Sequence, residues 1–208
     1  MFSPIRTERL LIRAVTAADA ADLAARRSDP DVAKYQNWTI PYPLERAENM
    51  VAEIAALDGP TNDEWWMGIV CDPTSGEVYG DVVTNLSQEG RTAEIGYTFF
   101  SRYWGRGYAV EATEALLAYL FETVGVTRVF GMLHPDNPAS AMVMERCGLL
   151  CEGHTPRPGA IAASPSRVRR PGRPSLPGPT PAHPRRGRRP RVGRPAAGPR
   201  AARGSRRR

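Results

Sequence analysis

Cysteine is scarce in this sequence, with three residues in 208 (Cys71, Cys147 and Cys151). An odd, sparse count argues against a disulfide framework and for a reducing compartment. No apolar run approaches the roughly 20 residues that span a bilayer. The start, MFSPIRTERLLIRAV, has arginines where a secretory signal needs an apolar core. These absences predict a soluble cytoplasmic protein without a membrane partner, in which the sequons Asn37-Trp38-Thr39 and Asn85-Leu86-Ser87 are silent. Lysine is absent after Lys34, and acidic residues are absent after Glu152. The net charge of +6 therefore averages two unlike pieces. Residues 1–154 hold 12 Lys and Arg against 22 Asp and Glu, a net of −10, while residues 155–208 hold 16 Arg and no acid, a net of +16.

Residues 155–208 also lack aromatics, and 43 of the 54 are Arg, Pro, Ala or Gly. Such a segment cannot bury enough apolar surface to offset its ordering entropy, so it reads as a disordered tail behind a domain at 1–154. Two accounts of the tail compete. Sixteen arginines bind nucleic acid or ribosomes non-specifically through counterion release. Alternatively, Arg, Pro, Ala and Gly are the vocabulary of GC-rich DNA read out of frame, which points to a frameshift near His154.

The domain itself punctuates clearly. RLLIRAV reads as a strand, and TAADAADLAARRS as a helix with Thr16 at its N-cap and Asp19 in its first turn. PLERAENMVAEIAAL is a second helix, with Leu44, Ala47, Met50/Val51, Ile54 and Leu57 on one face, ended by Gly59-Pro60. EWWMGIVC, VYGDVVTNL and TAEIGYTFF follow as strands joined by short polar turns, an antiparallel meander. Trp65 and Trp66, adjacent on a strand, point to opposite faces. Tyr108–Val124 is the strongest helix, with a buried stripe at Val110, Thr113, Leu117, Leu120 and Val124 and a stop at Gly125. TRVFGMLH is a strand parallel to its predecessor through a crossover. PDNPASAMVMERCGL then gives a short helix capped by Asn137, with Pro138 at its first position and Gly148 as its stop.

Between the meander and the strong helix lies SRYWGRG. Gly105 and Gly107 lack a Cβ, so an anion can approach the backbone, and the helix N-terminus behind them favours negative charge. Arg102 and Arg106 add forked donors. A dinucleotide fingerprint needs a third glycine where Val110 stands, and no Gly-Lys-Ser/Thr of a P-loop is present.

TERLLIR, AEIGYTFFSRYWGRGYAVEAT and NPASAMVMERCGLLCEGH together resemble the GNAT acetyltransferases, and within them the RimJ/RimL-like group. The resemblance covers most of residues 1–154. It implies a mixed α+β fold, mostly antiparallel with one β-α-β crossover, and acetyl transfer from acetyl-CoA as co-substrate to a primary amine, a protein N-terminus foremost. It implies that the pyrophosphate sits on Arg102, Gly105, Arg106, Gly107 and the amides of Tyr108 and Ala109. The strand Glu94–Phe100, with Tyr97 and Phe99, would run beside the pantetheine arm, and Asn137 and Ser140 would flank the sulfur. Two roles are open for Ser140, an acid toward the leaving thiolate or an ordinary third residue of a helix. Glu94 is likewise either a base toward the amine, through water, or a solvated strand carboxylate. Asn137 caps its helix in either case.

Other features have quieter readings. Cys147, Cys151 and His154 lack a fourth ligand nearby, and a helix end packing into a strand accounts for them better than zinc. Tyr35, Trp38 and Tyr42 fall near the first two helices, which in the family shape the acceptor site; a loop packed by aromatics is the alternative. Members of the family continue past EGH into two further strands. The prolines of TPRPGAIAASPSRVRRPGRP argue against them, so the last two strands of the sheet are expected to be missing. Translating the gene in its other two frames after codon 154 tests the frameshift: a strand-like continuation ending in a stop is expected, and its absence in both frames overturns the idea.

Overall fold

The structure, a computed structural model, describes residues 2–154 and 161–164; of His154 and residues 161–164 the backbone course alone is described. Contacts divide the chain between Gly172 and Arg173, and the second unit lies outside the described residues. One mixed sheet organises the first unit. Its strands are β1 (Ile5–Arg6), β2 (Leu11–Ala14), β3 (Trp65–Cys71), β4 (Val78–Ser87), β5 (Thr92–Phe99), β6 (Arg128–Leu133), β7 (Leu150–His154) and β8 (Ile161–Ser164). Their spatial order is β1-β2-β3-β4-β5-β6-β8-β7, and every pairing is antiparallel except β5 with β6. Among the described residues, no helix is long and apolar enough to cross a membrane.

The helices begin and end where their sequence signals stand. A short 3-10 turn, Ala17–Asp19, leads into α1 (Ala20–Ser28). The Asp19 carboxylate accepts from the Thr16 backbone N–H at 2.8 Å and from the Thr16 hydroxyl at 2.9 Å, a reciprocal cap. Pro30–Ala33 forms α2, and α3 (Leu44–Ala55) buries Ala47, Val51 and Ile54 while Leu44, at its first position, stays exposed. Helix α4 (Tyr108–Tyr119) continues through a wider turn, Leu120–Val124, and stops at Gly125 with φ 85°. It buries Ala112, Thr113, Leu116, Leu117 and Leu120, so its buried stripe is centred one residue from the predicted one, and Val110 and Val124 fall at its margin. Helix α5 (Pro138–Arg146) starts at Asn137, whose Oδ1 accepts from the Ser140 N–H at 3.1 Å.

Strand alternation assigns the two faces of the sheet. Trp66 is fully buried, and Phe2 packs on its ring at 4.4 Å and on Tyr119 of α4 at 5.2 Å. Val82, Thr84, Ile95 and Tyr97 share that face by cross-strand register, under α4 and α5. The opposite face carries Trp65, Met67, Ile69, Asp81, Val83, Glu94, Gly96 and Thr98, and α1 and α3 cover part of it. As expected, the two tryptophans face opposite sides: Trp66 is core, while Trp65 remains 46% exposed.

One expectation needs correction. Part of the segment thought incapable of strand structure forms β8, which pairs with β6 over Gly131–Leu133 and with β7 over Leu150–His154. The physical reason is local: Ile161–Ser164 lies in a proline-free window between Pro158 and Pro165, so every residue there can donate to a ladder. The other residues of the expected disordered tail, 155–160 and 165–208, lie outside the described ones.

The side chain of Arg26 on α1 is completely buried and pairs with the equally buried Asp81 of β4. Its Nε and Nη1 find no hydrogen-bond partner among the described residues. Removing one member of such a pair strands the other charge. Asp81→Ala is therefore expected to lower the unfolding free energy by about 3–5 kcal/mol, read as a lower urea midpoint at unchanged slope. An unchanged midpoint would show that Arg26 does not depend on this carboxylate.

Candidate active site

β5 and β6 hold parallel register only from Thr92–Arg128 to Ile95–Gly131. At the last pair a Cβ on Gly131 would lie 2.5 Å from Met144 Cε, so the tip of this α5 side chain rests on the β6 backbone there. Beyond that point β5 continues to Phe99 with β4 alone. The Phe100 N–H donates to the Tyr79 carbonyl at 3.0 Å, so by alternation Tyr97 and Phe99 turn their main-chain groups away from β4 and into the gap. The Phe99 carbonyl is taken by Trp104 Nε1 at 3.0 Å. The N–H groups of Tyr97 and Phe99 are left facing the gap, a short strand edge open to a linear ligand.

The loop after β5 supplies the other wall. Gly105 and Gly107 adopt φ 75° and 81°, left-handed values that favour glycine. Gly107 is the N-cap of α4 and no side chain caps this end, so the first amides of the helix face outward. A cleft of about 460 Å³ joins this N-terminus to the gap and to α5. Of the residues expected to hold the cofactor, Tyr97, Phe99, Gly105, Gly107, Tyr108, Ala109, Asn137 and Ser140 line it. Arg102 and Arg106 do not. The Arg102 guanidinium lies 4.1 Å from the Phe100 ring and 4.8 Å from that of Tyr103, and Arg106 lies 5.6 Å from Tyr103. Neighbouring rings attract both cations.

A residue without an expected role organises the loop. Arg9 donates from Nη1 to the Arg106 carbonyl at 2.9 Å and from Nε to Glu111 at 2.7 Å, and its guanidinium lies 5.0 Å from the Tyr108 ring. Glu111, in the first turn of α4, also accepts from the Arg9 N–H at 3.0 Å and the Thr7 hydroxyl at 2.6 Å. The β1–β2 turn is thereby tied to the glycine loop. TERL carries the residue, but nothing local in it announces a partner about 100 positions away.

At the inner end, the Tyr97 hydroxyl donates to the Ser140 carbonyl at 3.0 Å and lies 2.9 Å from Ser140 Oγ. Burial pushes the Tyr97 hydroxyl up to about 12, against the opposing hydrogen bond to Ser140. Glu94 does not line the cleft. It sits on the opposite face of β5, half-buried, with no hydrogen-bond or ion-pair partner among the described residues, and burial holds its carboxyl above the ordinary range. Helix α2 contributes Asp31 to the cleft, and the turn that follows it contributes Lys34, Tyr35 and Gln36. Tyr35 packs 5.3 Å from the His134 ring, whereas Trp38 and Tyr42 enclose Arg27 at 4.7 and 5.1 Å, a packing role. Cys147 is buried at the end of α5, and Cys151 is exposed on β7.

A splayed parallel pair beside a glycine-capped helix N-terminus offers an open strand edge and an anion seat to one extended ligand, and comparison with known proteins gives the class. The family model described as acetyltransferase (GNAT) domain matches residues 9–150. The chain is 33% identical over 150 residues to the uncharacterized N-acetyltransferase p20 of Bacillus licheniformis, covering 71% of this chain and 82% of that protein. It is 31% identical over 154 residues to the uncharacterized N-acetyltransferase YoaA of Bacillus subtilis, covering 74% and 86%. The structure of a GNAT-family acetyltransferase from Bacillus anthracis superposes with a TM-score of 0.66 at 27% identity, covering 78% of this chain and 96% of that one. The chain belongs to the GNAT acetyltransferase family. It is an N-acetyltransferase, and acetyl-CoA is its co-substrate.

Glu111 gives the site an acid limit. Burial raises its pKa, but the Thr7 and Arg9 donors outweigh burial, and the net effect is a lowering. A carboxylate depressed in the fold contributes stability above its unfolded pKa, about 4.3 for Glu, and loses that stability as pH falls through the folded value. Urea titrations between about pH 3 and 6 are expected to show the wild-type chain losing more stability on acidification than Glu111→Gln. Parallel curves would remove the ion pair from any role in holding the loop.

Proposed function

We propose that the domain moves the acetyl group in one step, within a ternary complex, from acetyl-CoA to a primary amine, and that the amine is a protein N-terminus, as the RimJ/RimL-like signatures suggest. The observation that carries this reading is the placement of two proton-handling groups on opposite faces of one gap-lining strand: Tyr97 with Ser140 on the α5 side, Glu94 on the α1 side. An amine entering from the Glu94 face loses its proton to that carboxylate through a water, and the raised Glu94 pKa makes it a better base than an ordinary glutamate. The nitrogen forms its bond to the thioester carbon while the carbonyl oxygen collects charge. The inward N–H groups of Tyr97 and Phe99 are placed to receive that charge. As the C–S bond breaks, the thiolate departs to the other face and takes a proton from the Ser140 hydroxyl; the nitrogen sheds its second proton to water as the amide forms, and water returns one to the Ser140–Tyr97 pair. With its pKa near 12, Tyr97 holds that proton at neutral pH.

Gly105, Gly107 and the first amides of α4 seat the pyrophosphate in this reading, and Asn137 keeps Ser140 in place by capping α5. Arg102 and Arg106 reach that anion only by leaving their rings. The cytoplasmic location suggested by the few cysteines belongs to the same proposal.

Thiol release from acetyl-CoA, followed with tetrapeptides bearing free N-termini, tests the proposal. Ser140→Ala and Tyr97→Phe are each expected to lower kcat by about 10²-fold while acetyl-CoA affinity stays within about threefold. Gly107→Glu, strained at positive φ and negative at the anion seat, is expected to abolish acetyl-CoA binding. Undiminished kcat in both hydroxyl variants would overturn the proton path.

A further inference from the structure

We infer that the α1-side face of β5 and β6 forms an acceptor subsite that selects a peptide N-terminus whose first residue is apolar. This rests on the acetyl-transfer reading and extends it to substrate choice. The subsite is continuous with the cleft: Glu94, Gly96 and Thr98 follow one another on that face of β5, and Thr98 already lines the cleft. Between the carboxylate and the cleft, the floor is bare backbone at Gly96. A Cβ there would stand 3.1 Å from Val83 Cγ2, in the space a substrate would use. The strands separate immediately beyond Ile95 and Gly131, so a nitrogen lying above Gly96 has the gap in front of it and Glu94 behind it.

The surroundings of that floor are apolar. Val83 is the cross-strand partner of Gly96, Phe130 pairs with Glu94, and Met132 is the next residue of β6 on the same face. Val83 and Phe130 are partly exposed, and Met132 is 42% exposed. Glu94 is the one group of opposite charge for an ammonium at this spot, and none of the described residues neutralises it. Arg128 stands 5.6 Å from the Phe130 ring at the outer side, paired with Glu152 at 2.8 Å. Its charge disfavours a basic first side chain. An α-ammonium over Gly96 thus meets a carboxylate while the side chain on its α-carbon meets Val83, Phe130 and Met132.

The test uses the full chain, acetyl-CoA and four tetrapeptides that differ only in a first residue of Leu, Ser, Asp or Lys, with hexylamine as a fifth acceptor. The Leu peptide is expected to exceed the Ser peptide in kcat/KM by about tenfold, as burial of one aliphatic side chain allows, and the Lys peptide is expected to fall below Ser. Gly96→Val should lower kcat/KM for the Leu peptide at least tenfold while acetyl-CoA affinity, measured by calorimetry, stays within about twofold. Met132→Ser, at an exposed position that does not endanger folding, should reduce the Leu-to-Ser ratio toward unity. Equal rates for all four peptides, or a Met132→Ser ratio equal to wild type, would overturn the subsite. Hexylamine outperforming the Leu peptide would overturn the peptide assignment. If acetyl-CoA binds and no acceptor releases thiol, the transfer reading fails, and the subsite is then judged by ligand-observed NMR of the Leu peptide. Binding lost in Gly96→Val supports it, and binding retained there overturns it.

Discussion

The end of pairing between β5 and β6 is the constraint on which the rest of the site depends. Main-chain N–H and C=O groups within a sheet must find partners, and four parallel pairs leave the distal half of β5 without a neighbouring strand on one side. Helix α5 lies over the last paired position, with the tip of Met144 against the backbone of Gly131. The same helix brings Ser140 to Tyr97. The gap, the donors within it and the hydroxyl pair at its inner end thus lie together under one helix. An extended thioester arm with its own amides suits such an edge as an added strand would.

The glycine loop is held from outside itself. A backbone with two left-handed residues in three positions has many alternatives in the unfolded chain, and the Arg9, Glu111 and Thr7 contacts select one of them. The loop is thereby preorganised, which lowers the ordering cost for any ligand that binds there. Arg26 and Asp81 connect α1 to the middle of the sheet.

Features written in neighbouring residues were legible in the sequence. Thr16 with Asp19, Asn137 with Pro138, and the stops at Gly125 and Gly148 act over one turn of chain, and each lies at the boundary it predicted. The glycine loop was legible for the same reason, since Gly105 and Gly107 are needed wherever that backbone path occurs. Arg9 was not, because its partners are set by tertiary register. Arg102 and Arg106 stand differently in the fold from what their charge suggested. Charge beside an anion seat suggested contact, yet Phe100 and Tyr103, nearer in the chain, hold both side chains. Strand β8 was missed because composition averages over a window longer than a strand. Four residues between two prolines suffice for a ladder when both flanking strands are already in place.

The position of β8 has an implication for the lifetime of the folded state. Among the described residues it is the last strand along the chain, yet it lies between β6 and β7. A polypeptide still emerging from the ribosome, with residues up to His154 available, offers two unfilled ladders instead of one protected border. Open strand edges of that kind recruit other chains. The same few residues that complete the sheet thus shield it from intermolecular pairing, and late synthesis makes that protection the last part of the domain to arrive.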